Sequence, residues 1–565
     1  MRIGLRIDVD TFRGTRLGVP NICRPLEKHC RNDSISTFLV LLVFVSLLFL
    51  VGLEKRHLWD ADEPRVAGIS AEMARTKDLV VPRLNGRPFI EKPPLYFWAA
   101  STAFRLFGEN TYVARLISAL SATFCVVIIF LLALSMNFST RGAFMSGFVL
   151  ATSAGFWSLG RTCLIDMTLC LFITAAMASF YQVVRSARGR VLWYIIFVFS
   201  MGCAVLTKGL IGLAIPVSAI VVWLILEKEF SWRRWFALLT CIILCCIPYL
   251  VWLWLLYIDM GKDAVYETFW INNFRRFIGK YPQHLAPFYY YLTKFPAKFL
   301  PWTFFLPLAG FLVVRQARKR DKTNPSIFIL IWFAVPFVML SVAAAKRGLY
   351  LLPIYPAASL AVGYTVDMVL SDKDKQTAWF DIPSSILAGI AVITPLVFLG
   401  FCFYFHQPFI IQALFSIPGT ILGLWAYHLL TKKDMNRFFQ MLVPAFLLIF
   451  LSFDMAILPS FNPKESFEPL FKYANDLRSE GAQLGILLPT ECLDGAAAFY
   501  LGECIPRFEN LEAAQEFLNS GKEKMVITRE ENIEKDQDIC IINSFNIDNK
   551  NVIIFAAKTF AKDKQ

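Results

Sequence analysis

Histidine and charge are what this sequence has least of. Only 5 histidines occur in 565 residues, and the 13 cysteines are scattered, with no CxxC pair and no Cys/His cluster. That pattern excludes the usual structural zinc site, and most of the cysteines read as small apolar packing residues. Charged residues make up 18% of the chain, against about a quarter in a soluble globular domain. Most of the chain is therefore not an ordinary soluble domain. Acidic residues are the scarcer sign, 43 against 56 Lys plus Arg, for a net charge of +13. Such an excess invites a nucleic-acid reading. The basic residues sit mostly in short loops between apolar blocks, however, which is the positive-inside pattern, so nucleic acid is not an expected partner.

Apolar residues fill the space that charge leaves. They are 56% of the chain, with a mean hydropathy of +0.53, in long blocks from Ile35 to about Pro459. A helix needs roughly 20 apolar residues to cross the hydrocarbon core. The blocks predict an α-helical polytopic membrane protein with about thirteen spans. They fall near 35–53, 112–136, 142–159, 164–184, 191–206, 209–227, 233–258, 300–314, 326–343, 350–370, 384–405, 408–430 and 438–459. Arg185, Arg188 and Arg190, then Arg315 to Lys322, then Lys432, Lys433 and Arg437 fall in loops on one side, with the N-terminus. Those loops mark the cytoplasmic side of an inner membrane, and the tail after about residue 460 is then periplasmic.

This gives a three-part division: an N-terminal segment 1–34, a membrane domain 35–460 with long outer loops 54–110 and 259–299, and a C-terminal domain 461–565. The first loop holds two amphipathic segments, Asp62–Arg75 and Pro94–Phe107, suited to lying along the membrane surface. In the tail, Gln483–Leu488, Lys524–Thr528, Ile539–Ile542 and Val552–Phe555 read as strands and Glu512–Leu518 as a helix, a small α/β domain. It reads more readily as a packing or lid unit than as a carrier of chemistry. A disulfide between two of Cys492, Cys504 and Cys540 is open to it if it is periplasmic.

Ionisable residues near membrane depth are costly, and on the outer side they gather. Asp62, Glu63 and Arg65 open the first loop, and Glu91 and Lys92 close it. Arg161 and Asp166, Lys208, Arg275 and Arg276, and Lys346 with Arg347 and Tyr350 follow on the same face. Singly, each is an ordinary loop charge or a snorkelling side chain. Together, several cations above aromatic rings suit the phosphate head group of a lipid, and the carboxylates suit acceptor activation or a metal.

The same residues carry a resemblance. Asp62-Glu63-Pro64-Arg65, Val81-Pro82-Arg83 and Glu91-Lys92-Pro93-Pro94-Leu95 resemble the first periplasmic loop of the bacterial aminoarabinose transferases, relatives of the protein O-mannosyltransferases. Further matches are Asp166, Lys208-Gly209, Phe269-Trp270, Arg276-Phe277, Gln283 to Phe288, and Lys346 to Pro353. The resemblance implies a GT-C fold and an undecaprenyl-phosphate sugar donor. It implies that Asp62 and Lys92 are catalytic and lie at the donor phosphate. Arg65, Lys208, Arg276, Lys346 and Tyr350 would help bind that phosphate. A divalent metal is the one cofactor it leaves open, with Glu91 and Asp166 as candidate ligands. Where family members can carry a histidine, three residues before Arg276, this chain has Asn273.

Residues 2–16, Arg-Ile-Gly-Leu-Arg-Ile-Asp-Val-Asp-Thr-Phe-Arg-Gly-Thr-Arg, resemble the start of the aminoarabinose-pathway deformylase. In that family the Asp-Val-Asp carboxylates, here Asp8 and Asp10, serve base and metal roles. The barrel that should follow is replaced by the first span, and the chain has no His-x-x-x-His pair. The segment reads as a fusion or deletion scar that points to the same pathway. The expected function is transfer of 4-amino-4-deoxy-L-arabinose from undecaprenyl phosphate to lipid A at the periplasmic face. The alternatives are a related transferase with a hydroxyl acceptor in protein or glycan, where Asp62 would be a general base, and a lipid flippase. A flippase predicts charges spread through the bilayer midplane, not gathered at one face.

Overall fold

The computed structural model describes residues 28–557, apart from 60–61, 186–188, 229–230, 276–284, 320–323, 373–376, 408, 522 and 534–538. The deformylase-like leader lies outside the described residues.

Among the described residues, 9 helices are long and apolar enough to cross a bilayer. Two further pairs are broken: Thr140–Thr152 with Ala154–Gly160, bent by 68°, and Tyr290–Lys298 with Trp302–Ala317, bent by 113°. Two shorter apolar helices, Ile211–Leu226 and Ser326–Val342, complete the set. Every apolar block of the sequence thus becomes one of these segments. The chain is a multi-pass membrane protein, mostly helical, with a sheet at its C-terminal end.

The spans are not equally enclosed. Gly348–Ser371 has 78% of its apolar window buried and Ile165–Arg185 has 67%, against 28% for Ala378–Tyr404 and Phe409–Thr431. The two enclosed helices pack through aromatic rings, such as Phe180 against Trp223 and Tyr355 against Phe295. Their ends bear the polar residues of interest, Tyr350 and Asp166. At the opposite end, the side chain of Arg141 meets Asn436 at 2.6 Å and Ser139 N donates to Asp367 at 2.9 Å. These contacts bring the loop before Thr140, the basic loop around Arg437 and the end of the Gly348–Ser371 span together at that end.

The first outer loop folds as its periodicity predicts. Helices Glu63–Thr76 and Leu95–Phe107 flank a two-stranded ribbon, β1 (Arg83–Leu84) and β2 (Arg87–Pro88). Pro64 near the first turn lacks the N–H that would otherwise be orphaned there. In the second loop, a helix Lys262–Tyr266 runs into a π-helical segment Glu267–Arg275, and Tyr290–Lys298 is already helical.

At the C-terminal end, β3 (Gln483–Leu487), β4 (Arg507–Phe508), β5 (Lys524–Arg529), β6 (Ile539–Ile547) and β7 (Lys550–Ala557) form a sheet of order β4-β3-β5-β7-β6. β3 pairs in parallel with β4 and β5, and β5, β7 and β6 pair antiparallel. The last two strands are a hairpin turning at Asp548 and Asn549, with φ of 48° and 57°, the left-handed pair that matches strand twist. The periodicity of β6 breaks at a bulge between Ile541 and Asn543, which is why only its first residues read as a strand. The helix at Leu511–Asn519 matches expectation, while Glu468–Ser479 and Glu491–Tyr500 are additional. Cys492, Cys504 and Cys540 are free thiols, so the sheet is held by apolar packing rather than a disulfide.

Candidate active site

Asp62 and Glu63 are neighbours in sequence and turn to opposite sides at the start of the Glu63–Thr76 helix. Glu63 faces inward. Arg115 holds both of its oxygens, Nε to Oε1 and Nη2 to Oε2, each at 2.8 Å. Arg56 reaches Oε1 at 3.1 Å, and the backbone N–H of Cys163 donates to Oε1 at 2.8 Å. Burial alone would raise the Glu63 pKa, but the charges of Arg115 and Arg56 outweigh it and hold it at about 2. Arg115 also donates to the carbonyls of Leu53 (2.8 Å), Arg56 and His57 (2.7 Å), so its guanidinium clamps the strap that follows the first span. Arg161, buried nearby, pairs with Asp454 at 3.0 Å and donates to Leu48 and Val51. This cluster fastens the loop to the bundle.

Asp62 faces a cavity of about 470 Å³ on the other side. Its Oδ1 accepts from Arg65 at 2.7 Å, and its Oδ2 accepts from Arg347. Burial would raise its pKa, yet the Arg347 hydrogen bond and the Arg65 charge bring it below the usual carboxylate value. Across the cavity, Lys208 at the end of the Arg190–Lys208 helix pairs with Asp166 at the start of the preceding helix, Ile165–Arg185, and its ammonium sits 4.5 Å from the centre of the Tyr350 ring. Glu91 and Lys92 line the same space. So does Glu491, the first residue of the C-terminal helix Glu491–Tyr500, which pairs with Arg65.

The structure therefore brings together Asp62, Arg65, Glu91, Lys92, Asp166, Lys208 and Tyr350. Lys346 does not join them. It is buried, and its ammonium is spent on the carbonyls of Ala286, at 2.9 Å, and Ala343. Its neighbour Arg347 takes the place expected of it. Arg276 lies outside the described residues. Glu491 was missed by sequence reasoning, and Arg347, named in the outer-face set, was given no role of its own. Lys346-Arg347 signals a cation without saying which of the pair turns inward. Thr490 signals a helix start, since its side chain accepts from Leu493 N, without saying where that helix docks.

The donor set does not suit a metal. Lys208 occupies the Asp166 carboxylate, and among the described residues no group of three His, Cys, Asp or Glu side chains is assembled. Asn273 is spent on backbone: its Oδ1 accepts from Leu210 N at 3.0 Å, and its Nδ2 donates to the carbonyls of Thr268 and Phe269. It ties the π-helical segment to the Lys208-Gly209 turn.

Residues 34–261 match the family described as dolichyl-phosphate-mannose-protein mannosyltransferase. The chain is 30% identical over 391 residues to an undecaprenyl phosphate-α-4-amino-4-deoxy-L-arabinose arabinosyl transferase of Erwinia tasmaniensis, covering 68% of this chain and 69% of that one. It is 32% identical over 349 residues to the enzyme of the same name from Aeromonas salmonicida, covering 60% and 62%. The fold is similar to that of ArnT from Cupriavidus metallidurans bound to undecaprenyl phosphate, with a TM-score of 0.73, 19% identity, and 92% and 97% of the two chains covered.

Proposed function

The chain belongs to the undecaprenyl phosphate-aminoarabinose arabinosyltransferase family, glycosyltransferases that use polyprenyl-phosphate sugars, and from that premise we propose that it transfers 4-amino-4-deoxy-L-arabinose from undecaprenyl phosphate to a lipid A phosphate at the periplasmic face of the inner membrane. The observation that carries this reading is the state of Asp62. Pinned between Arg65 and Arg347 and held below its usual pKa, it is a poor general base. A phosphate acceptor is already ionised near neutral pH and needs none, whereas a hydroxyl acceptor does.

In this mechanism an acceptor phosphate oxygen attacks the anomeric carbon as its bond to the donor phosphate breaks. Undecaprenyl phosphate leaves with the negative charge that develops. Lys92, Lys208, Arg65 and Arg347 surround the space where that charge appears, and Tyr350 lies beneath Lys208. Fixed cations in a partly dry cavity stabilise the leaving phosphate without reorganising, and positioning supplies much of the rest. Asp62 acts by orienting the two arginines. Arg276 is assigned to the donor phosphate on its motif alone. The periplasmic placement rests on the basic loops at the opposite end of the bundle and on the positive-inside rule.

Expression in a Gram-negative host that makes the donor but lacks its own transferase tests the proposal. Mass spectrometry of lipid A should find one added aminopentose on a phosphate. Unmodified lipid A from a well-expressed chain, with a new hexose on protein or glycan, would replace the phosphate acceptor with a hydroxyl.

A further inference from the structure

We propose that Glu491, delivered by the C-terminal α/β unit, is the carboxylate that receives the ammonium group of the donor sugar and so sets the enzyme's preference for an aminopentose; this rests on the donor assignment above. An ammonium held in a partly dry site needs a carboxylate within a few ångströms. The sequence offers Glu63, Glu91 and Asp166 on the correct face, and the geometry removes two of them. Glu63 is sealed behind the loop with both oxygens on Arg115. Asp166 is neutralised by Lys208. Asp62 is likewise taken, by two arginines.

Glu491 differs from Glu63, Asp166 and Asp62, and with Glu91 it is one of the two carboxylates that remain. It too meets a cation, Arg65 through Oε2, but 49% of its side chain is exposed, against 7% for Asp166, and it lines the cavity. Its position is set by backbone packing. The Glu63–Thr76 and Glu491–Tyr500 helices cross at Gly68 and Gly495, where a Cβ on Gly68 would lie 2.7 Å from the Gly495 Cα and one on Gly495 would lie 2.5 Å from the Arg65 Cα. Asn85 strengthens the seam, donating to Asp494 Oδ1 and accepting from Ile505 N, each at 3.0 Å. The carboxylate is thus held at a fixed distance from the Asp62–Arg65 pair.

Charge balance suits an aminosugar donor. Among the described residues the cavity is lined by the cations Arg65, Lys92, Lys208 and Arg347 and by the carboxylates Asp62, Glu91, Asp166 and Glu491. A donor carrying a phosphate anion and a sugar ammonium adds no net charge to that set. A neutral-sugar donor adds an uncompensated anion.

The test uses the full-length chain in lipid vesicles with two synthetic donors, the 4-amino pentose and its 4-hydroxy counterpart, on undecaprenyl phosphate. Wild type should favour the amine in kcat/KM, and Glu491→Gln should erase about 10- to 100-fold of that preference, the scale of one charge-assisted hydrogen bond. Glu491→Asp should restore part of it. In wild type the preference should also fade as pH rises through the pKa of the sugar amine, a readout that needs no variant. Equal losses on both donors in Glu491→Gln would reduce Glu491 to a support for Arg65 and overturn the proposal. Loss of discrimination in Glu91→Gln instead would move the assignment to Glu91. If folded wild type transfers neither donor to lipid A, the proposed function fails first, and this inference with it.

Discussion

Asp62 and Glu63 divide the outer end of the molecule into two regions built from the same residue types. Behind Glu63, the Arg115 guanidinium, 1% exposed, has every donor on Glu63 or on a backbone carbonyl, and Arg161 adds Asp454 and two more carbonyls. Ahead of Asp62, arginines, lysines and carboxylates share partners, Asp62 with Arg65 and Arg347 and Arg65 with Asp62 and Glu491, and keep part of their surface open to a cavity. The first region turns charge into attachment; the second keeps charge on call. Burial decides between them. A buried pair with every donor used cannot exchange partners without a large desolvation cost, whereas a half-exposed pair can.

The sharpest way to break the contrast is to unbalance the sealed side. Glu63→Ala leaves Arg115 and Arg56 buried with no carboxylate, and should cost about 3–5 kcal/mol. Little folded protein is expected in detergent-solubilised membranes, as read by size-exclusion profile and thermal melting. A stable Glu63→Ala protein would show that the cluster is not the fastener.

Asp62→Asn should do the reverse, leaving insertion and melting unchanged while transferase activity falls by roughly 10²-fold, the scale for losing one preorganised electrostatic contact. Near-normal turnover at equal protein level would place the site elsewhere. Gly495→Ala should follow with a smaller effect. The added methyl meets the backbone at Arg65 and should weaken docking of the C-terminal unit by about 1–3 kcal/mol, with activity down several-fold and faster proteolytic release of that unit. A Gly495→Ala chain with unchanged protease resistance would mean that the seam can shift to accept it.

The pH response is the subtlest discriminator. Glu63 has a folded-state pKa near 2, below its ordinary 4.5, so the folded state binds fewer protons than the unfolded one in that window. The stabilisation is fully present above pH 4.5 and is lost as pH falls toward 2. Melting temperature should drop across that window in wild type and drop less in a Glu63→Gln protein.

Much of this was readable from residue order. Apolar runs found the spans, and 3.6-residue periodicity found both helices of the first loop. Asp62, Lys92, Asp166 and Lys208 were found because charge next to an apolar block is costly and therefore informative. The charge pattern alone did not separate neighbours. The family resemblance set Asp62 apart from Glu63, but Lys346 and Arg347 differ only in which way a turn points, and that depends on distant partners such as Ala286. Glu491 was further out of reach. It belongs to a segment whose composition reads as an independent soluble unit, and its helix docks through two glycines, which leave no apolar signature. The bent segment Tyr290–Lys298 read as loop because Thr293, Lys294 and Lys298 interrupt its apolar pattern.

The glycine crossing has one more consequence. Two helices that meet backbone to backbone come closer than side chains would allow, so the residues around the crossing can also bridge them, as Arg75 does to the Ala498 carbonyl at 2.7 Å and Asn85 does to Asp494 at 3.0 Å. The C-terminal helix is therefore latched along the first outer loop at several points, and the wall of the cavity that carries Glu491 moves only together with the wall that carries Asp62.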